Sequence, residues 1–411
     1  MFFLLTVVLS GCGGGGGIHD VSIPEITKVL SAESAEDMVF CTSTGELTFP
    51  MPNADVGSFG SGDIVVIDAC EAVPEGALLR VLSQSQSGGK VTFYTENATI
   101  EEAIERGTVL LEQALSPSDV KSAIPLAKGV SLPQAKGLTK ASSFSVSIDD
   151  VVLYDGDGDM DTTNDQVMAN GGVNFESAFD IKIEIDDSHL EHFRLTNTIV
   201  ETATIEVESQ VDVLSGSWKK ELARYYFSPI TVWVGYVPVV FTPIMTVELG
   251  VDGRVQIGLS TSVEQETSFT AGLEYDNGGW NSVKTFNNDF GFSPPNLSVS
   301  GNVKAHAGPE LKVMLYGLAG SHVNTRAYLE LDAELTEEPW WTLCGGLEVS
   351  AGVSAEILSH EIADHESTLI DFKVTLDEAD EIKNPPGAPL NLSADGSDGR
   401  VDLDWTVPSS N

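Results

Sequence analysis

The feature that most constrains this chain is a period of two. Phe144, Val146 and Ile148 alternate with polar residues, and so do Ile181, Ile183 and Ile185. Ile205, Val207, Val211 and Val213 share one parity, as do Val255, Ile257, Leu259 and Val263. The pattern returns at Leu311, Val313 and Leu315, at Leu329, Leu331, Ala333 and Leu335, and at Leu347, Val349, Ala351, Val353, Ala355 and Ile357. Successive side chains of an extended chain point to opposite faces, so one face becomes apolar and the other carries the intervening Glu, Asp, Thr and Ser. Half-buried strands of this kind build antiparallel sheets. Asp252-Gly253 and Asn277-Gly278 have the chemistry of two-residue hairpin turns. The expected fold is all-β and mainly antiparallel, with a large sandwich or rolled sheet over residues 141–383. A lipid-facing barrel would share the alternation, but here another module follows the last alternating segment in place of a closing strand.

Upstream, residues 18–140 read as a small β-rich module with one helix and a connector. GDIVVID (62–68), ALLRVLS (77–83) and KVTFYTE (90–96) are short strands separated by Gly, Pro and Ser. Thr99 can cap a short helix with Glu101 and Glu102 in its first turn, and Gly107 ends or interrupts it. Residues 116–143 are apolar only in patches and read as the connector. The most apolar internal segment, YYFSPITVWVGYVPVVFTP (225–243), is expected to pack in the core, with its prolines at edges or bends.

Charge narrows the choice of partner. Sixty-two acidic residues against 21 Lys and Arg give a formal net charge of −41. Nucleic-acid affinity depends on Lys and Arg releasing counterions, so no nucleic-acid partner is expected. Anionic lipid headgroups are repelled for the same reason, whereas divalent cations are attracted.

The first twelve residues, MFFLLTVVLSGC, are too short to span a bilayer but suit a signal-peptide core ending in small residues. Leu9-Ser10-Gly11-Cys12 resembles the lipobox of bacterial lipoproteins. That resemblance implies cleavage of residues 1–11 as a signal peptide and lipidation of Cys12. It also implies membrane attachment on the extracytoplasmic side, and Gly13 after the cysteine implies sorting to the outer membrane. Gly13 to Gly17 then form a flexible tether, so residues 12–17 are anchor and leash.

At the other end, NPPGAPLNLSADGSDGRVDLDW (384–405) resembles the start of a fibronectin type III domain. Pro385, Pro386 and Pro389 supply its Pro-rich opening, Leu392 lies on the first strand, and Val401, Leu403 and Trp405 alternate on the second. The resemblance implies an incomplete module over residues 384–411, because such a sandwich needs about 100 residues.

Residues that could carry chemistry are few. DGDGDMD (155–161) alternates aspartates through a glycine-containing loop, and Ca²⁺ takes six to eight oxygen ligands. Asp155, Asp157, Asp159, Asp161 and Asp165 are candidate ligands for Ca²⁺, the one cofactor suggested; a solvated acidic turn is the alternative. The loop departs from an EF-hand at Met160 and Gln166 and lacks helical flanks. Cys41 and Cys70 either pair as a disulfide outside the reducing cytosol or stay separate thiols, and Cys344 reads as buried and inert. Trp340 and Trp341 are expected to face opposite sides of a strand, so one ring could stack on a sugar; packing in the core is the alternative. The five-residue spacing of His360 and His365 does not suit a shared metal. No nucleophile elbow, phosphate loop or Cys-x-x-Cys pair is present. The expected function is non-catalytic: a secreted, lipid-anchored surface protein that binds or adheres to carbohydrate or to another surface component. The alternatives are a polysaccharide-degrading lipoprotein and a structural stalk.

Overall fold

The computed structural model describes residues 21–133, 143–159, 165–209, 214–255, 260–292, 301–334, 338–354, 358, 364–379, 390–397 and 400–406. The chain begins with β1 (Thr27–Val29), α1 (Ala32–Glu36), β2 (Val39–Cys41), β3 (Glu46–Phe49), β4 (Ile64–Ile67), β5 (Ala77–Ser87), β6 (Lys90–Asn97) and α2 (Ile100–Ala103). These strands form one sheet in the order β1-β4-β5-β6-β3-β2, in which β1 and β4 are parallel and the other pairs antiparallel. β4 is a continuous apolar run, Ile64-Val65-Val66-Ile67, because both of its faces are covered. Val65 and Ile67 join Leu47, Phe49, Phe59 and Phe93 in a small core, while Ile64, Val66 and Leu78 pack into the main body. In α2 the Glu102 carboxylate accepts the Thr99 backbone N–H at 2.8 Å, which fixes the single turn where the sequence placed it.

The main body follows with β7 (Gly107–Leu115), β8 (Val120–Pro125), β9 (Val130–Ser131), β10 (Phe144–Asp155), β11 (Gln166–Asp186), β12 (His189–Ser209), β13 (Leu214–Phe227), β14 (Ile230–Val234) and β15 (Val237–Val255). It continues with β16 (Ser260–Asp276), β17 (Gly279–Phe292), β18 (Gly301–Leu315), β19 (Ala319–Ala333), β20 (Trp341–Val353) and β21 (His365–Glu378). One sheet runs β17-β16-β12-β11-β10-β9, and the other β21-β20-β19-β18-β15-β13-β8. Each contains a long strand whose one edge is shared end to end by two shorter partners. β11 pairs with β10 over Gln166–Phe175 and with β7 over Ser177–Ile185. β15 pairs with β14 from Val237 to Phe241 and with β13 from Ile244 onward. Pro243 falls between those two partners, so its missing N–H costs no ladder bond on that side.

The described part of the alternation closes the core as its parity demands. Phe144, Val146, Ile148, Ile181, Ile183, Ile185, Leu311, Val313, Leu329, Leu331, Leu347 and Val349 are all buried between the sheets. The two sheets approach at both margins through side chains. At one margin Trp280 stacks on His365 at 5.1 Å and Phe286 meets Phe372 at 5.1 Å. At the other, Phe144 stacks on Phe175 at 5.2 Å and meets Tyr225 edge-on at 5.3 Å, with Tyr154 against Trp218 beyond. The result is an antiparallel sandwich, not a closed barrel. A separate hairpin, β22 (Leu390–Ser397) and β23 (Arg400–Thr406), forms within the segment that resembles a fibronectin type III start.

Two expectations change, and one open choice is resolved. Asn277-Gly278 is the turn between β16 and β17, with φ of 51° and 77°, but Asp252-Gly253 lies inside β15, paired on both sides. Gly253 is needed there because its φ is +109° and a Cβ would strike the Asn302 carbonyl. Residues 107–131 supply β7, β8 and β9 to the large sheets, so the expected connector is part of the sandwich. Finally, Cys41 and Cys70 are free thiols. Cys41 ends β2 at one sheet margin and Cys70 follows β4, with β3, β6 and β5 between them, whereas a disulfide requires Cα atoms roughly 4.4–6.8 Å apart.

Candidate functional site

The Asp-Gly loop leaves β10 at Asp155 and returns to β11 at Gln166, at an edge of the first large sheet. Carboxylate oxygens of Asp155, Asp157 and Asp165 lie within 4.8 Å of one another. Local hydrogen bonds hold them. Asp155 accepts the Gly158 N–H at 2.6 Å and the Gln166 side-chain amide at 2.7 Å, and Asp157 accepts the Asp159 N–H at 2.8 Å. A Cβ on Gly156 would lie 2.7 Å from the Asp165 carboxylate, so a larger residue there would displace that side chain. Asp165 Oδ1 is enclosed and has no hydrogen-bond partner among the described residues. Asp159 contributes backbone to the turn but stands outside this group, and Asp161 lies outside the described residues. Three converging carboxylates suit a hard cation bound through oxygen. Asp155 and Gln166 flank the loop as register partners, which is why an eleven-residue separation in sequence becomes a single contact.

Cys12 lies outside the described residues. The Cys41 thiol is drawn down to about 7 by hydrogen bonds from Ser43 and then Thr44, and Cys344 is buried as expected. Trp340 and Trp341 are half-buried, and their rings meet edge-on at 6.3 Å and 87°. Perpendicular rings offer no shared flat platform, and Trp341 packs against the main core. The most exposed described tryptophan is Trp233, in the β14–β15 hairpin, with Tyr236 beside it. The apolar segment 225–243 was expected to pack in the core; Gly235, between Val234 and Tyr236, marks the turn that lifts these rings out. Next to Tyr236 is an open groove of about 480 Å³ lined by Glu25, Lys28, Asp55 and Ser58.

The sandwich interior holds a second polar group. On β12, Phe193, Leu195, Asn197, Ile199, Glu201 and Ala203 all point inward. Ser177 donates to Asn197 Oδ1 at 3.0 Å, entirely within the core. Glu201 is 1% exposed, lies between Phe175 and Thr267 in the sheet register, and meets no donor at either oxygen among the described residues. Burial raises its carboxyl to about 8, so it is held neutral at pH 7. Thr325 on the facing sheet is also fully buried and lacks a partner for its hydroxyl among the described residues.

Fold and site together define an all-β protein, a two-sheet sandwich with a smaller sheet packed on it, that carries an acidic carboxylate loop at one sheet edge. Comparison of the chain with family models, with curated proteins and with solved structures gives no match.

Proposed function

We propose that this protein is an extracytoplasmic, lipid-anchored module that binds carbohydrate or another surface component without catalysing a reaction. In this reading calcium sets the β10–β11 loop. The observation that carries it is the convergence of the Asp155, Asp157 and Asp165 carboxylates. A site with so few protein ligands on an exposed loop binds calcium weakly, in the roughly 10⁻⁴–10⁻³ M range of extracellular modules. It would therefore fill outside the cytosol, in keeping with the lipobox reading of Cys12. A filled sandwich core beneath the loop supplies the rigid base that a binding surface needs. The β22–β23 hairpin is read as the opening of a fibronectin type III-like module that extends this display outward.

Calcium should raise the melting midpoint, because binding to the native state stabilises by RT ln(1 + [L]/Kd), about 2.7 kcal/mol at 100 Kd. Thermal scans in millimolar calcium and in chelator read this directly. Asp155→Asn with Asp165→Asn should abolish the difference, and a wild-type midpoint indifferent to calcium would remove the proposal. For the anchor, Cys12→Ala should leave the signal uncleaved or move the protein from the membrane to the soluble fraction. Fractionation with unchanged membrane retention and normal processing would count against lipidation.

A further inference from the structure

The β14–β15 hairpin turns through Val234, Gly235, Tyr236 and Val237, with Gly235 at a φ of +60°. Trp233 is 58% exposed and Tyr236 53%, whereas Val234 and Val237 are buried. Its base is fixed. Thr231 donates to Asp68 at 2.8 Å, the Tyr316 hydroxyl donates to the Pro238 carbonyl at 2.5 Å, and a Cβ on Gly107 would lie 2.6 Å from Val234. The two rings are thus held outward on a rigid support. Exposed aromatic rings grouped on a fixed turn make a candidate contact surface.

The position of the N-terminal chain identifies the contact. A Cβ on Gly235 would lie 3.1 Å from Val21 Cγ1, and Val21 is itself exposed. Ser22 exchanges backbone hydrogen bonds with Arg106 at 2.9 and 3.0 Å, so the chain is pinned where it passes the hairpin. Val21 follows Cys12 by nine residues, rich in glycine. That length spans at most roughly 30 Å. An acyl group on Cys12 therefore holds the tip of this hairpin within reach of the bilayer surface.

We infer that Trp233 and Tyr236, with Val21 beside them, form a membrane-docking tip that seats in the headgroup layer of the bilayer carrying the Cys12 anchor. The inference rests on the lipid-anchor reading. Trp and Tyr concentrate at membrane–water interfaces because each has an apolar ring and a polar tip. The net charge of −41 selects a zwitterionic surface, since anionic headgroups would repel the body. Glu25, Lys28 and Asp55, in the groove beside Tyr236, remain in headgroup water.

The test uses the full-length protein, recovered from membranes, in vesicles of phosphatidylcholine and phosphatidylethanolamine containing brominated chains. Mass measurement of the mature N-terminus reports acylation separately from docking. Trp233 emission should shift to the blue and be quenched, and Trp233→Phe should remove that quenched component. Trp233→Ser with Tyr236→Ser should lower vesicle partition of the unacylated Cys12→Ala chain at least tenfold, with an unchanged melting midpoint. An acylated chain whose Trp233 is unquenched overturns the docking and leaves the anchor standing. If the chain is unacylated, the same quenching is read at high vesicle concentration, and its absence overturns the docking. Trp233 emission that responds to soluble polysaccharide but not to vesicles assigns the rings to a glycan and also overturns it.

Discussion

Glu201→Leu is expected to raise the melting midpoint at pH 9 by roughly 5–10 °C. The carboxyl titrates near its ordinary 4.5 when the chain is unfolded and at about 8 when folded, because burial penalises the charged form. The folded state therefore holds a proton that the unfolded state releases between those values. Stability from this group is complete below about pH 4.5 and falls as pH rises through that window. The slope is about 1.4 kcal/mol per pH unit, so the loss by pH 9 is on the order of 5 kcal/mol. Glu201→Gln should flatten the window while leaving an unpartnered amide, and Glu201→Leu should also gain at acid pH. Chemical denaturation from pH 4 to 9 reads both. A wild-type profile matching that of Glu201→Gln would show that the carboxyl is not held neutral.

Phe175→Ala should destabilise the protein by about 3–5 kcal/mol, the usual range for a fully buried aromatic truncated in a core. Phe175 is 1% exposed and stacks on Phe144, which in turn meets Tyr225 and Phe227 of the facing sheet. It is also the register neighbour of Glu201, so the two substitutions should not be additive. A double-mutant cycle by urea denaturation measures the coupling. A single-variant loss below about 1 kcal/mol would mean that this margin of the sandwich does not seal the core.

The strands were legible because burial of one face imposes parity, and parity survives in the residues themselves. Ile181, Ile183 and Ile185 declare their side of β11 without any tertiary information. β8 was illegible for the same reason: its residues are mostly exposed, so no alternation distinguishes it from a connector. β7 follows a helix turn directly, and TVLLEQAL reads equally well as helix until β11 supplies the hydrogen bonds. The acidic loop was legible as a motif, but which aspartates converge depends on the register of β10 with β11, which joins Asp155 to Gln166. Glu201 was readable and overlooked. It stands on the same parity as Phe193, Leu195, Ile199 and Ala203, where it and Asn197 are the two polar side chains among apolar ones. Trp233 and Tyr236 were hidden by their neighbours, since an apolar segment suggests burial until the turn at Gly235 separates its two strands.

β4 gives the molecule a property that neither core has alone. Its four residues are shared between two hydrophobic clusters, two facing each way. Losing the small sheet would strip Ile64 and Val66 from the sandwich, and opening the sandwich would bare the back of the small sheet. Heat and denaturant therefore act on one cooperative unit, in which disturbance of the small sheet is felt at the centre of the body.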